Sequence, residues 1–340
     1  MSVNVGLVGF GYAGRTFHAP LIAATPALRL HTIVSTRPEL VHQDWPAARV
    51  VPDLDTLLAE PAIDLVVIAT PNALHAPFAR RALDAGRHVV VDKPFTLTVA
   101  EAKDLADRAA KADRLLSVFH NRRWDADFLA VRSLIAAGSL GRIGRFESRF
   151  DRFRPERRDR WRERDEPGAG LWFDLGPHLI DQALLLFGRP IGIAADIQTQ
   201  RAGAGADDYA HAILRYDRLR VVLHADMLSA AQPFRFAVHG DRGSYVTTGL
   251  DPQEEALKSG VRPGGPDWGR DPRPGTVTIL EAPPVTYPGP SGDYPAYYAA
   301  IARAIAGLAP NPVPPDEAVR VMEVLEAGVR SNELRAEVLL

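Results

Sequence analysis

Val3-Asn4-Val5-Gly6-Leu7-Val8-Gly9-Phe10-Gly11-Tyr12-Ala13-Gly14 is an apolar, β-branched run that ends in G-x-G-x-x-G. The run reads as a buried strand, and the glycines read as the tight turn from that strand into a helix. In such a turn Gly9 takes a backbone conformation closed to other residues, and Gly11 leaves room for a pyrophosphate to approach the main chain. Gly14 lets helix and strand pack closely, while the unpaired N–H groups at the helix start face the anion. Gly9, Gly11, Tyr12, Ala13 and Gly14 are therefore assigned to binding a dinucleotide. The helical pattern runs on from Gly14 to Ala24, but Pro20 lacks an N–H and clashes one turn back. A break or restart is predicted near His18-Ala19.

Outward from this turn, short apolar runs alternate with helical stretches. Strands are predicted at 3–8, 28–34, 64–69, 88–91 and 115–119, the rhythm of a parallel sheet buried on both faces. Thr98 and Glu101 form an S/T-x-x-E capping box that starts a helix over 100–112. After Phe119 the rhythm changes. A helix over 125–137 is closed by Gly138, alternation follows over 142–150, and 209–216 with 219–227 read as a hairpin about Asp217-Arg218. Further strands are predicted at 234–239 and 244–248, and helices at 294–308 and 315–331. The Pro- and Gly-rich stretch 250–275 reads as a loop excursion outside the core. The fold class is α/β: an N-terminal Rossmann domain, 1–121, with a parallel sheet, and a second domain, 122–340, with a largely antiparallel sheet covered on one face.

Composition agrees with two cores: 340 residues, 46% hydrophobic and 24% charged. Forty basic against 42 acidic side chains leave a net charge of −2, so there is no bulk attraction to nucleic acid or to an anionic membrane. The absence of cysteine excludes disulfides, thiolate metal sites and cysteine nucleophiles. No run approaches the ~18 apolar residues of a membrane span, and the opening residues carry no basic segment, so no secretory signal is expected and a cytoplasmic location is. Residues 149–166 hold eight arginines but also six acids, which reads as a salt-bridged strand and loop and not as a nucleic-acid surface.

Four further groups carry chemistry. Ser35-Thr36-Arg37 closes the second strand where an acidic residue would accept from the ribose 2′-hydroxyl of NAD. Two hydroxyls and a guanidinium suit a 2′-phosphate instead, and a charge-assisted hydrogen bond of about 1.5–3 kcal/mol favours NADP over NAD. Thr70-Pro71-Asn72 and Asp92-Lys93-Pro94 follow two other strands at their carboxyl ends, where ligands of parallel sheets sit. Asp174 and His178 lie four residues apart, on one face of a helix, with Pro177 compatible with its first turn. The pair can serve as orienter and general base, or as a helix cap beside a satisfied histidine. No metal-ligand spacing is evident and no metal is expected.

Together, Gly9 to Gly14, Asp92-Lys93-Pro94 and Asp174-Leu175-Gly176-Pro177-His178 resemble the Gfo/Idh/MocA oxidoreductase family, across essentially the whole chain. The resemblance implies a Rossmann domain followed by a C-terminal α/β domain on an open, mainly antiparallel sheet. It implies Lys93 as the catalytic lysine, although Asp92 stands where the family usually has glutamate. Its second signature, roughly G-G-G-x-x-x-D-x-G-x-H, is met with Ala169 at the middle glycine and with Asp174 and His178 in the functional places. By the same resemblance Thr70, Asn72, His75, Lys93 and Asn121 lie on the cofactor side, and Lys93, Arg122, Asp174 and His178 on the substrate side. Ser35 to Glu39 and His120 to Asp125 are similar to a branch that includes NADP-dependent scyllo-inositol dehydrogenases.

The expected activity is NADP-dependent transfer of a hydride between nicotinamide and a secondary alcohol of a polyol, inositol or sugar. His178 would take the hydroxyl proton and Lys93 would hydrogen-bond the reacting oxygen, with the two roles exchangeable at this level. A non-catalytic NADP(H) sensor or scaffold and an NAD-dependent glycosidase are the competing classes. A homodimer or homotetramer is expected, with no nucleic acid or membrane partner.

Overall fold

The computed structural model describes residues 2–231 and 234–340; Met1, read above with the opening strand, lies outside the described residues. The chain divides into two compact units. One comprises Met1–Asn121, Gln253–Trp268 and Asp293–Val319, and the other Arg122–Pro252, Gly269–Gly292 and Arg320–Leu340.

Among the described residues of the first unit, six parallel strands form a sheet: β1 (Val3–Val8), β2 (Leu28–Val34), β3 (Arg49–Val51), β4 (Leu65–Ile68), β5 (His88–Val91) and β6 (Leu116–Val118). Their order, β3-β2-β1-β4-β5-β6, is that of a dinucleotide-binding sheet, with the strand order reversing beside β1. The central strands are apolar along their length because helices cover both faces; all four residues of β4 are buried. β3 escapes a periodicity reading because three residues carry too little pattern.

The first helix restarts where Pro20 requires it. Gly14–His18 is a π-helical turn, and an α-helix, Ala19–Ala23, follows with the proline in its first turn, where no N–H is needed. After the Lys93 loop the helix Val99–Ala112 opens with the expected capping box. Thr98 Oγ1 accepts from Glu101 N, and Glu101 Oε2 accepts from both Thr98 N and Leu97 N.

The second unit carries a mixed, mainly antiparallel sheet. Its strands are β7 (Ile143–Asp151), β8 (Gly192–Gln198), β9 (Tyr209–Arg215), β10 (Arg220–Asp226), β11 (Phe236–Gly240), β12 (Gly243–Thr247), β13 (Gly275–Ile279), β14 (Val285–Tyr287) and β15 (Val338–Leu339). Their order is β14-β13-β12-β11-β7-β10-β9-β8-β15. β9 and β10 form the expected hairpin, Tyr209 opposite Asp226, and β10 runs parallel to β7. The long helix Leu171–Phe187 packs on β7, β9 and β10, over the buried side chains Phe146, Phe150, Leu223 and Ala212.

Three readings differ from this architecture. A continuous second domain from 122 to 340 is not what the contacts give, because 253–268 and 293–319 belong to the first unit. Tyr297 and Tyr298 are fully buried there against Phe119 and His18. The stretch read as a loop excursion contains a short helix, Gln253–Lys258, and the buried Gln253 Oε1 accepts from both Trp268 Nε1 and Tyr294 N. Composition alone cannot show that one buried amide closes such a segment. Finally, Pro177 falls in the second turn of its helix, not the first, since the helix begins at Leu171.

Replacing Thr98 with alanine removes a cap from the helix that follows the Lys93 loop. Urea denaturation is expected to show a loss of about 1 kcal/mol.

Candidate active-site residues

In the first unit each glycine of the turn meets a different steric demand. Gly9 has φ +101°, and a Cβ there would stand 2.5 Å from the Ala69 carbonyl oxygen. A Cβ on Gly14 would stand 2.0 Å from the oxygen of Gly9, so only glycine allows the helix to start so close to the strand. At Gly11 a Cβ would meet nothing within 4 Å. That open space at the helix start is the approach a pyrophosphate requires, so these residues fit a dinucleotide. Beside it the half-exposed Tyr12 donates to Glu254 Oε1 at 2.7 Å, and Ala13 is half-buried. At the end of β2, Ser35 Oγ accepts from Arg37 N at 3.0 Å, and the Thr36 and Arg37 side chains are exposed.

The loops after β4 and β5 are tied by His75. Its Nδ1 lies 2.7 Å from the Pro94 carbonyl oxygen and its Nε2 3.0 Å from that of Thr70. Burial pulls its pKa below the ordinary histidine value, although two facing carbonyls favour the doubly protonated ring. Each ring nitrogen thus faces a main-chain carbonyl, and the ring with a single N–H donates to one of the two. Asn72 is buried at the start of a short 3-10 turn, and Lys93 is half-buried at the end of β5. Asp92 Oδ1 accepts from Lys93 N at 2.8 Å. Burial works to raise the Asp92 carboxyl, but His18, Lys93 and His75 outweigh it and hold the group below the usual carboxylate range. Asn121, the last residue of the first segment of this unit, is buried.

In the second unit Asp174 and His178 sit one turn apart on the helix Leu171–Phe187, as their spacing predicts. Gly170, just before it, has φ +90°, and a Cβ there would collide with the Asp207 carboxylate at 1.9 Å. That carboxylate accepts from Trp172 N at 2.7 Å and the Asp207 carbonyl accepts from Leu171 N at 2.8 Å, so Asp207 caps the helix from outside it. Burial pushes its carboxyl up to about 6. Arg162, stacked on Trp161, lies 3.5 Å from Asp174 Oδ1. His178 is buried beside the Phe150 ring, centroids 6.4 Å apart.

Arg122 and Arg123 brace this helix. Arg123 pairs with Asp181 through Nε at 2.9 Å and Nη2 at 2.5 Å, and the Arg122 carbonyl accepts from Gln182 Nε2 at 2.9 Å. The Arg122 guanidinium, also buried, pairs with Asp125 and lies over Phe150. Residues missed from the sequence include Asp207, Arg235, His18 and Tyr298. Asp207 lies 33 positions beyond Asp174 and 29 beyond His178, and no local pattern marks it.

The arginine-rich stretch is paired internally, Arg160 with Glu163 and Arg164 with Asp159. One cluster with metal-ligand types exists among the described residues: Asp151, His224 and Asp226, whose donor atoms lie within 4.8 Å of one another. Asp226 there accepts from Leu228 N, Ser229 N and Ser229 Oγ, which accounts for it as the cap of a turn. Among the described residues no helix is long and apolar enough to cross a membrane.

Comparison with known proteins places the chain in a family. Residues 3–120 match the oxidoreductase-family NAD-binding Rossmann fold, and residues 132–340 match the oxidoreductase-family C-terminal α/β domain. The chain is 52% identical over 345 residues to the uncharacterized oxidoreductase YdgJ of Escherichia coli (strain K12), covering 100% of this chain and 99% of that protein. It is 37% identical over 344 residues to scyllo-inositol 2-dehydrogenase (NADP(+)) IolW of Bacillus subtilis (strain 168), covering 100% and 96%. The solved structure of YPO2259 from Yersinia pestis superposes with a TM-score of 0.96 at 51% identity, covering 100% of this chain and 97% of that one. The chain belongs to the Gfo/Idh/MocA oxidoreductase family, with an NAD(P)-binding Rossmann domain.

The glycine geometry separates two effects. Gly14→Ala is expected to destabilise the protein by about 1–3 kcal/mol in urea denaturation, through overpacking against main chain. Gly11→Ala is expected to leave the midpoint in place while weakening binding of the nicotinamide dinucleotide, NAD or NADP, about tenfold or more by calorimetry.

Proposed function

We propose that this protein is an NADP-dependent dehydrogenase that oxidises a secondary alcohol of a polyol, inositol or sugar and, in reverse, reduces the ketone. The observation that carries the reading is Lys93 at the carboxyl end of β5 together with Asp174 and His178 on one helix face, in a chain related throughout to an NADP(+) scyllo-inositol 2-dehydrogenase. Bound NADP supplies the nicotinamide that accepts or returns the hydride.

His178 takes the hydroxyl proton as the alcohol is oxidised. Lys93 hydrogen-bonds the reacting oxygen and assists its change of charge. Asp174, held by Arg162, orients the substrate hydroxyls. Thr36 and Arg37 bind the 2′-phosphate, and Ser35 shapes their turn through its bond to Arg37 N. Gly9, Gly11, Tyr12, Ala13 and Gly14 hold the pyrophosphate, and Thr70, Asn72 and Asn121 border the nicotinamide. His75 supports that end by joining the two loops. Arg122 contributes on the substrate side through Asp125 and Phe150. A homodimer or homotetramer built on the sheet face that exposes Arg145, Asp196 and Ile213, and a cytoplasmic location, belong to the same reading.

The test is NADP-dependent absorbance change over a panel of inositols, aldoses and short diols, run beside NAD. Lys93→Ala and His178→Ala are expected to lower kcat about 10²–10⁴-fold while NADPH still binds. Arg37→Ala is expected to weaken NADPH binding about tenfold to a hundredfold and leave NADH binding unchanged. Full turnover in both Lys93→Ala and His178→Ala, or equal use of NAD and NADP, overturns the corresponding assignment.

A further inference from the structure

The π-helical turn Gly14–His18 carries His18 into the core of the first unit, where it is fully buried. Its ring lies 4.4 Å from the Phe119 ring, centroid to centroid. Nδ1 is 2.6 Å from Tyr298 Oη, and Nε2 is 3.8 Å from Asp92 Oδ1. Among the described residues Nε2 has no hydrogen-bond partner, and it is aimed at the carboxylate of the residue that precedes Lys93. The same Asp92 oxygen accepts the Lys93 main-chain N–H.

The proton positions follow from these neighbours. Burial pushes the Tyr298 phenol well above its ordinary pKa, so it is a neutral O–H. An ionised Asp92 only accepts, which favours the tautomer with its proton on Nε2, the nitrogen facing that carboxylate. Nδ1 is then an acceptor and Tyr298 donates to it. The three groups form one directed line, from Tyr298 through His18 to Asp92. Tyr298 has no exposed surface, so the line ends in the core and offers no proton a way to solvent. Its effect is to fix the Asp92 carboxylate.

We infer that His18 and Tyr298 are positioning residues: they hold Asp92 against the Lys93 main chain and so set the orientation of Lys93 in the reaction. The inference rests on the reading of Lys93 as an acid–base group. Packing alone does not call for this polar line, because Phe119, Tyr297 and Tyr298 already fill the same core through their rings.

The groups facing Asp92 are His18, Lys93, His75 and Tyr298. Ionised Asp92 is the form that holds Lys93. Burial alone would raise its pKa, and the His18 side chain is the largest opposing influence. Losing the N–H therefore moves the acid limb of the kcat profile to higher pH. In the full-length enzyme, Tyr298→Phe is expected to lower kcat about tenfold, with the Kd for NADPH unchanged. His18→Leu is expected to lower kcat further and to shift the acid limb to higher pH, whereas His18→Gln, which keeps an N–H donor, restores the limb and most of kcat.

A cofactor-free readout accompanies this. Neither variant at position 18 has an imidazole, so their difference in urea stability isolates the N–H that faces Asp92. His18→Gln is expected to be the more stable near pH 7, and the gap to narrow as pH falls and the Asp92 carboxylate of His18→Leu, less opposed by neighbours, takes its proton first. Identical kcat profiles and identical pH dependence of stability for the leucine and glutamine variants overturn the inference, as does an effect of Tyr298→Phe confined to NADPH binding. If Lys93→Ala keeps full turnover, the assignment of Lys93 itself fails. If Lys93→Ala is inactive while Tyr298→Phe and both His18 variants match the wild type, the positioning role alone fails.

Discussion

The oxygen of Gly9 occupies the place where any side chain on residue 14 would begin. That one close approach sets where the first helix starts, and the start directs the chain beyond it. Because β1 lies between β2 and β4, the open end of the turn faces the point where strand order reverses, the position at which parallel sheets take dinucleotides. The same turn determines where His18 falls, one widened helical turn later. Pro20 requires the helix to restart, and the π-helical segment supplies the restart while carrying the histidine inward. The glycine turn and the histidine that faces Asp92 thus share one short stretch of chain.

The second unit solves a different problem, the placing of a long helix with polar residues on a buried face. Its start is held by Asp207 and its middle by Arg123 and Gln182. Below these, Arg235 donates to Ser148 Oγ, Arg149 O and Gln182 Oε1, and its guanidinium lies between the Phe150 and Phe236 rings. Burial lowers the Arg235 pKa to about 10, which leaves it charged at neutral pH, and raises the Asp127 carboxyl to about 7. A network of this kind is not strong evidence for stability, since desolvation opposes each charge. Its geometric consequence is plain: Phe150, which borders His178, is clamped between Arg122 and Arg235.

Much of the fold was legible locally. β1, β2 and β5 have the bounds that their short apolar and β-branched stretches predict. The capping box at Thr98 and the helix restart at Ala19 were legible too, each being a matter of a few adjacent backbone groups. β8, with its adjacent Ala194 and Ala195, and the three-residue β3 were not, for neither contrasts with its surroundings. The segments 253–268 and 293–319 were read into the wrong unit because their anchors are a buried amide and three tyrosines whose partners lie far off in sequence.

For the site, residue type and spacing by themselves determined the glycine turn, the lysine at a strand end, and an aspartate and histidine on one helix face. These depend on backbone sterics and helical period, which act within a few residues. Only the tertiary structure decided that His75 stands between the carbonyls of two loops, that Asp207 caps a helix it does not belong to, and that Tyr298 meets His18 across 280 positions. A buried polar atom must find its partner wherever the packed chain brings one, and that choice is not written in the residues beside it.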